Sequence, residues 1–322
     1  MPLVKEVHVF QLKGRAEDWG RLREWRVEEV RLRVDELGLH KYRLSHSPEL
    51  LLSLFNAVAA LALTATTMFL WRRRRKHGAA LLCLACSAIC FSPQSLETIL
   101  LLIVGMVGRL NRRSQGPSGI SFARPGTLME EFWWELDPKN ERARQKFYEE
   151  MQTHSKYSQK LLASGYEQVI FDYTSKEDTS ESREGLFLMN FLTKCAINHQ
   201  LCSEYWLLNH SQIVLAVSRD LGMVSYVQTH TRSATLNPSH PEEEVMGSSV
   251  VVERTFDGMT QVWFDPLALL GAAILQPLTF LSADRTLLQD ERRFLDLSRC
   301  TVWFSSMHSS IQIDRDNALS AM

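Results

Sequence analysis

Two cysteines and two histidines lie close together in the sequence, and these are the residue types that bind zinc. They are Cys195, His199, Cys202 and His210. On a helix, residues four positions apart share a face, so Cys195 and His199 could hold one ion. Cys202 would lie about 10.5 Å further along the axis than Cys195, which is too far for a single tetrahedral zinc. A shared ion would need the helix to break before Cys202, and we therefore predict buried cysteines and no metal site.

Two further histidines lie where strands are predicted to end. His230 in QTHTRS is followed by Arg232, and this pair could bind an anion or take part in acid–base chemistry. His308 in SMHSS is a weaker example of the same pattern. Ordinary strand-end turns explain both patterns as well as catalysis does. The chain contains no GxSxG, HExxH, GxxxxGK[ST] or GxGxxG motif, and we predict no cofactor.

Composition excludes one class of partner. The net charge is −1 and the isoelectric point is about 6.8, whereas a general nucleic-acid binder needs a basic face, so no nucleic acid is expected. Three of the six cysteines lie in an apolar segment, and the other three are scattered. Scattered cysteines do not predict a disulfide framework, and a reducing compartment is the default expectation.

Apolar residues are concentrated between residues 48 and 110, which we predict to be a membrane module. Residues 49–71 are almost entirely apolar, and about 20 such residues cross the hydrocarbon core of a bilayer. Trp71 lies at a position typical of an interfacial aromatic residue, and RRRRKH follows it directly. The module therefore begins with a predicted spanning helix.

The second apolar segment, residues 79–108, is interrupted near its middle by Ser92, Pro93, Gln94 and Glu97. Ser followed by Pro is a helix-start signal, so we predict a break there and a new helix from Pro93. The two pieces could form a kinked second crossing or a re-entrant hairpin. Glu97 could also lie in an ion or proton path, since ionisable residues inside membranes are often functional. The positive charges are balanced in the two-crossing arrangement, so the positive-inside rule does not select it.

The remaining sequence divides into three parts. Residues 1–47 are highly charged, with a predicted opening strand at VHVFQL and a helix between Trp19 and Leu44 that Gly38 would cap. Residues 111–126 are polar and contain Gly and Pro, which predicts a linker. Residues 127–322 have a mixed pattern that predicts a soluble α+β domain, with a mainly antiparallel sheet covered by helices.

Several elements of this domain can be predicted individually. Asp137-Pro138 predicts the start of a helix that ends near Ser164-Gly165, and residues 185–209 have the length of another helix. QVIFDY, QIVLAVS and MVSYVQTH are predicted strands. Asp257-Gly258 predicts a two-residue hairpin turn between SVVVERTF and MTQVWFD, because both turn positions accept positive φ. We expect the aromatic residues of FWW, Phe132 to Trp134, to lie in the core.

The C-terminal part contains one more apolar run, from Pro266 to Leu281. It is short for a membrane span, so we predict a helix buried against the sheet, with docking on a membrane as the alternative. Ser282 would then cap a helix running to Ser298. TVWFSS and SSIQI predict two final strands.

These features support three functional hypotheses. The first is a membrane-anchored interaction or scaffold protein, with the lipid bilayer and a protein as its partners. It would be an integral protein of an intracellular organelle membrane, with its C-terminal domain in the cytosol. The second is a membrane-bound hydrolase or transferase acting on a lipid or apolar substrate. The third is an accessory subunit of a channel or transporter.

Overall fold

Ten strands form one curled, mainly antiparallel sheet in the computed structural model. The structure describes residues 3–12, 17–46, 121–122, 128–135, 137–153, 157–174, 186–231, 256–305 and 311–315. The strands are β1 (Leu3–Leu12), β2 (Leu39–His46), β3 (Ser121–Phe122), β4 (Leu128–Glu135), β5 (Tyr157–Asp172), β6 (Phe187–Thr193), β7 (Met223–Thr231), β8 (Gly258–Phe264), β9 (Thr301–Ser305) and β10 (Ile311–Asp314). Their order across the sheet is β10-β2-β4-β1-β5-β7-β8-β6-β9-β3. The predicted α+β class with an antiparallel sheet and helices is confirmed.

Six α-helices lie in the described ranges. They are α1 (Glu17–Arg33), α2 (Pro138–Thr153), α3 (His199–Tyr205), α4 (Ser211–Val217), α5 (Pro266–Leu275) and α6 (Pro277–Glu291). A π-helical turn, Trp206–His210, joins α3 to α4.

The described residues form two βαββαβ units in tandem. In the first unit, β1, β2, β4 and β5 follow one another in the chain, with α1 after the first strand and α2 after the third. In the second unit, β6, β7, β8 and β9 follow the same pattern, with α3–α4 and α5–α6 as the connecting helices. Within each unit, the strands are arranged in the sheet as second, third, first and fourth. This is the ferredoxin-like split βαβ arrangement, present twice.

The fourth strand of the first unit, β5, pairs with the second strand of the second unit, β7, and so joins the units into one sheet. Helices of each unit cover the outer face of their own half. Phe132, Trp134 and Phe147 belong to the core under α1 and α2, whereas Trp206 and Phe294 belong to the core under α3–α6. The core role expected for the FWW segment is confirmed, since all three aromatic residues are buried.

The inner face of the curled sheet brings the two units together. Met129 of β4 and Trp303 of β9 belong to one buried cluster on this face. Polar side chains lie on the same face. Lys5 of β1 donates to Oε1 of Gln261 on β8, and Nε2 of Gln261 donates to Glu131 of β4 at 2.8 Å. These contacts join residues far apart in the sequence, so the inner face is a shared core of both units.

Residues 47–127 are inserted at one end of a hairpin. β2 ends at His46, β4 begins at Leu128, and these two residues are direct antiparallel partners. The chain therefore leaves β2 and enters β4 at adjacent positions, although the two-residue β3 within this insertion pairs with β9 at the other end of the strand order. The predicted membrane module (48–110) lies in this insertion, outside the described residues. Residues 3–46, which the sequence analysis separates from the C-terminal domain, supply β1, α1 and β2 to the same sheet.

Several predicted elements are confirmed. The strands at VHVFQL, QVIFDY, MVSYVQTH, TVWFSS and SSIQI lie in β1, β5, β7, β9 and β10. Asp137 caps α2 through a bond from the backbone N–H of Lys139 to its Oδ1 (2.9 Å). Gly38 has φ +63° and ends the turn after α1, as predicted.

Other predictions are wrong, mainly because a strand buried on both faces resembles a helix in its apolar content. The predicted helix that Gly38 caps is present as α1, but the residues after Gly38 form β2, a strand that the sequence analysis did not predict. The helix from Pro138 ends at Thr153, and Ser164-Gly165 lies within β5. The predicted helix at 185–209 is β6 followed by α3, and the predicted strand QIVLAVS is α4.

The predicted hairpin turn at Asp257-Gly258 is also wrong. Gly258 is the first residue of β8 and pairs with His230 on one side and Thr193 on the other. Both edges of β8 are occupied by β7 and β6, and residues 249–255 of the predicted partner strand SVVVERTF lie outside the described residues. Gly258 is also not among the glycines with positive φ.

The apolar run from Pro266 forms two helices instead of one buried helix. α5 and α6 meet at Gln276 with a bend of 110°. Leu269 and Phe280 are buried, but other large side chains of this run are exposed. α6 begins at Pro277, so Ser282 is not its cap. Of the helices in the described ranges, none alone has the length and apolar composition to cross a membrane.

Candidate functional site

The helical segment α3–α4 of the second unit carries the densest group of polar side chains near a cavity. The side chain of Asn198 caps α3 by accepting bonds from the backbone N–H groups of Gln200 and Leu201. A disulfide joins Cys195, just after β6, to Cys202 on α3. This pairing replaces the predicted thiols. Among the described residues, no group of His, Cys, Asp and Glu side chains is placed to hold a metal ion.

The π-helical turn orients two buried side chains of this segment. It begins at Trp206 and ends at His210, and both are buried. A π-turn is wider than an α-turn, and such turns occur often at functional sites. Here Trp206 lies against His230, with ring centroids 4.9 Å apart, and His210 lies near Asp290 of α6.

His210, Asp290 and Tyr205 form a hydrogen-bonded triad between α6 and the α3–α4 segment. His210 Nδ1 lies 2.8 Å from Asp290 Oδ2, and the Tyr205 hydroxyl donates to Asp290 Oδ1 at 2.6 Å. Burial raises the pKa of Asp290, but the bonds from His210 and Tyr205 outweigh it and hold the pKa below its ordinary value. The ionised carboxylate accepts both bonds, so Nδ1 of His210 carries a proton.

His210 of this triad lines a small cavity between the sheet and the helices. The cavity has a volume of about 40 Å³, room for a few water molecules. Apolar side chains such as Met189 and Val262 form most of its wall, and the polar residues that line it include His210, Tyr226, Thr260 and Glu291. When His210 donates through Nδ1 to Asp290, Nε2 is the ring nitrogen left to accept a proton, which is the arrangement of a general base.

His230, predicted from the sequence, belongs to a second network that adjoins Trp206. Gln228 Nε2 donates to the backbone oxygen of Trp206 (3.2 Å), so its Oε1 faces His230 Nε2 at 2.8 Å. His230 Nε2 must then donate, and Nδ1 accepts from the Ser203 hydroxyl at 2.8 Å. Both ring nitrogens are thus occupied by neutral partners, and neither partner is a carboxylate.

Burial, together with a smaller electrostatic effect of neighbouring His199, lowers the pKa of His230 to about 4. The imidazole is therefore neutral at physiological pH and a weak base. Although Ser203 donates to it as a nucleophile would, the geometry fits a structural network between α3 and β7 better than catalysis.

A third polar group lies on the inner face of the sheet. Lys5 Nζ lies 2.9 Å from Glu131 and 2.8 Å from Glu167, and Arg43 bonds Glu131 at 3.2 Å. Burial raises the pKa of Glu131, but Lys5 and Arg43 outweigh it and hold the pKa below its ordinary value. Two cations and two anions balance, which is how buried charges are tolerated.

The structure separates the predicted site residues. His230 lies on β7, whereas Arg232 and His308, as well as Ser92, Pro93, Gln94 and Glu97, lie outside the described residues. The sequence analysis missed Ser203, Tyr205 and Asp290. None belongs to a recognisable motif, because their proximity comes from the packing of α6 on the α3–α4 segment.

The second unit also resembles a known family. Residues 196–298 match the family model of the EthD domain. The match is less than half of the 322 residues. It begins directly after Cys195 and includes α3 to α6, β7 and β8. The two polar networks at His210 and His230 and the cavity lie largely within it. No curated protein matches the chain in sequence.

Proposed function

We propose that this protein is anchored in a membrane by residues 48–110 and presents its α+β domain at the membrane surface as an interaction module. The C-terminal domain would face the cytosol at an organelle membrane, with a protein as its partner. The position of the insertion carries the proposal. His46 and Leu128 are paired, so an apolar module can leave the sheet there without interrupting its strands.

One further observation favours interaction over catalysis at the predicted site. His230 is held by Ser203 and Gln228 and lacks the carboxylate partner that a general base usually has.

An excision variant tests the anchoring. Residues 48–120 are replaced by a short Gly/Ser turn, which leaves β2, β3 and β4 in the chain. A second variant carries a Gly/Ser linker of the original length, as a control for loop length. We expect the full chain to resist carbonate extraction from membranes, and both variants to be extracted while they retain a cooperative thermal transition. A full chain that carbonate extracts completely would contradict the proposal.

A second candidate function is an enzyme that acts on a lipid or apolar substrate. The observation that favours it is the Asp290–His210 pair beside a mainly apolar cavity. An oriented imidazole next to such a cavity could activate water for attack on an ester.

Hydrolysis of short-chain p-nitrophenyl esters by the purified full chain tests this second function. This second function requires turnover above the buffer rate that is lost in His210→Gln and retained in His40→Gln, a change at an exposed position. Equal rates in the full chain and in buffer would count against an esterase and leave the interaction module as the better proposal.

A further inference from the structure

The bend between α5 and α6 forms an exposed apolar corner, which we define as Pro266 to Ser282. The corner contains no Asp, Glu, Lys, Arg or His. Leu267 is 72% exposed, Ile274 62%, Leu275 79% and Leu278 82%. Residues 274–279 are exposed without interruption. Burying each such side chain lowers the free energy by about 1.5–3 kcal/mol, so leaving all of them in water is unfavourable.

The chemistry of the corner fits lipid better than protein. Protein interfaces are enriched in Tyr, Trp and Arg, and a polar rim surrounds their core. The exposed positions of the corner hold only Leu, Ile, Ala, Pro, Gln, Thr and Ser. Four large side chains of the corner are each more than 60% exposed, so the corner protrudes and does not form a groove. In addition, α5 and α6 together have the length and apolar composition of a membrane span, although a bend of 110° separates them.

We infer that this corner inserts into the interfacial layer of a lipid bilayer, and the inference rests on the proposed membrane anchoring. The bilayer would be the one that holds residues 48–110. Apolar side chains without charge enter the boundary between headgroups and acyl chains by burying apolar area there.

The insertion and the corner, which would both contact the bilayer, lie at opposite ends of β5. The insertion leaves the sheet beside Phe10, which pairs with Leu128 on one side and Gln159 of β5 on the other. The corner follows the far end of β8, where Trp263 and Asp172 of β5 both pair with Ser225. Gln159 and Asp172 are separated by roughly 40 Å of extended strand. Contacts at both ends of β5 orient this strand along the bilayer surface.

Photo-crosslinking of the full chain in its membranes tests the inference. p-Benzoylphenylalanine is incorporated at Leu278, and at Leu32 of α1 as a control, because Leu32 is also an exposed leucine (61%). After irradiation, the membrane pellet is collected and the adducts are identified by mass spectrometry. We expect a lipid adduct at position 278 and none at position 32. Thermal melting checks that each variant is folded.

Three other outcomes would overturn the inference. An adduct at 278 to a peptide of a second copy, or to another protein, would identify the corner as a protein interface. A chain that pellets but gives no adduct at 278 would overturn the bilayer contact and leave the anchoring intact. A chain that is absent from the pellet would overturn the anchoring as well.

Discussion

Individual residues of this protein show how position determines the chemistry of a side chain. His210 and His230 both lie under the helices of the second unit, yet their partners differ. Asp290 orients His210 toward a cavity, whereas Gln228 and Ser203 occupy both nitrogens of His230. The sequence identifies His230 because of its neighbours in the chain. It could not identify the His210–Asp290 pair, because Asp290 approaches only through the packing of α6.

The low pKa of His230 leads to a prediction about stability and pH. The folded pKa is about 4 and the ordinary value is 6.5, so between these values the unfolded state binds a proton that the native state does not. Stability is therefore fully present above pH 6.5 and is lost as pH falls toward 4, by about 3 kcal/mol. We expect His230→Asn to reduce this pH dependence in urea denaturation of the full chain in detergent.

The control for this measurement is His40→Asn, since His40 is exposed on β2. It should retain the full pH dependence. Identical pH profiles for His230→Asn and the unmodified chain would mean that His230 is solvated in the folded protein.

The buried ions on the inner face lead to a second prediction at this scale. Lys5 is fully buried and contacts Glu131 and Glu167, so Lys5→Met leaves two carboxylates without this cation. Breaking a buried ion pair from one side costs about 3–5 kcal/mol. We expect a large loss in the free energy of unfolding, whereas Lys146→Met, which removes only a solvent-exposed pair with Glu150, should cause little change. A small effect of Lys5→Met would contradict the joint core of the two units.

At the scale of elements, the sequence predicts a strand more readily when polar and apolar residues alternate in it. VHVFQL was identifiable because His8 lies between Val7 and Val9, but β6 was not. Phe187 and Phe191 of β6 face the helices, and Leu188 and Leu192 belong to clusters on the inner face. The resulting apolar run has no period of two, which is why it resembles a helix. Gly38, by contrast, was predictable, because a helix end with positive φ requires glycine.

The sequence analysis assigned Gly258 to a hairpin turn, but glycine is needed there because the residue is closely packed within β8. A Cβ at this position would lie 2.5 Å from the Trp206 ring and 2.8 Å from the Thr229 carbonyl oxygen. We therefore expect Gly258→Ala to lower the free energy of unfolding by about 1–3 kcal/mol through overpacking, not through turn strain.

Gly271 of α5 is the matched control, because a Cβ there meets nothing within 4 Å. Gly271→Ala should raise stability by about 0.5–1 kcal/mol, as expected for glycine inside a helix. Equal effects of the two substitutions in chemical denaturation would show that Trp206 does not pack closely on β8.

At the scale of the whole molecule, the tandem arrangement was hidden from the sequence. The two units share strand order but not an obvious sequence repeat, and the insertion at 47–127 separates β2 from β4. Its apolar composition predicted a membrane module, which suggested that a domain begins only after it. The structure instead pairs β1 with β4 and β5, so strands from both sides of the insertion form one sheet.

Cleavage of the insertion tests the central claim most directly, namely that a membrane module is inserted into a single folded α+β body. A site for a specific protease is introduced at Ser114 in the full chain, and membranes are treated with the protease and then sedimented. We expect the C-terminal fragment to stay in the pellet with the N-terminal fragment, because β4 and β5 remain paired with β1, and to be released only by denaturant. Release of the C-terminal fragment into buffer, or the absence of both fragments from the pellet, would contradict the account.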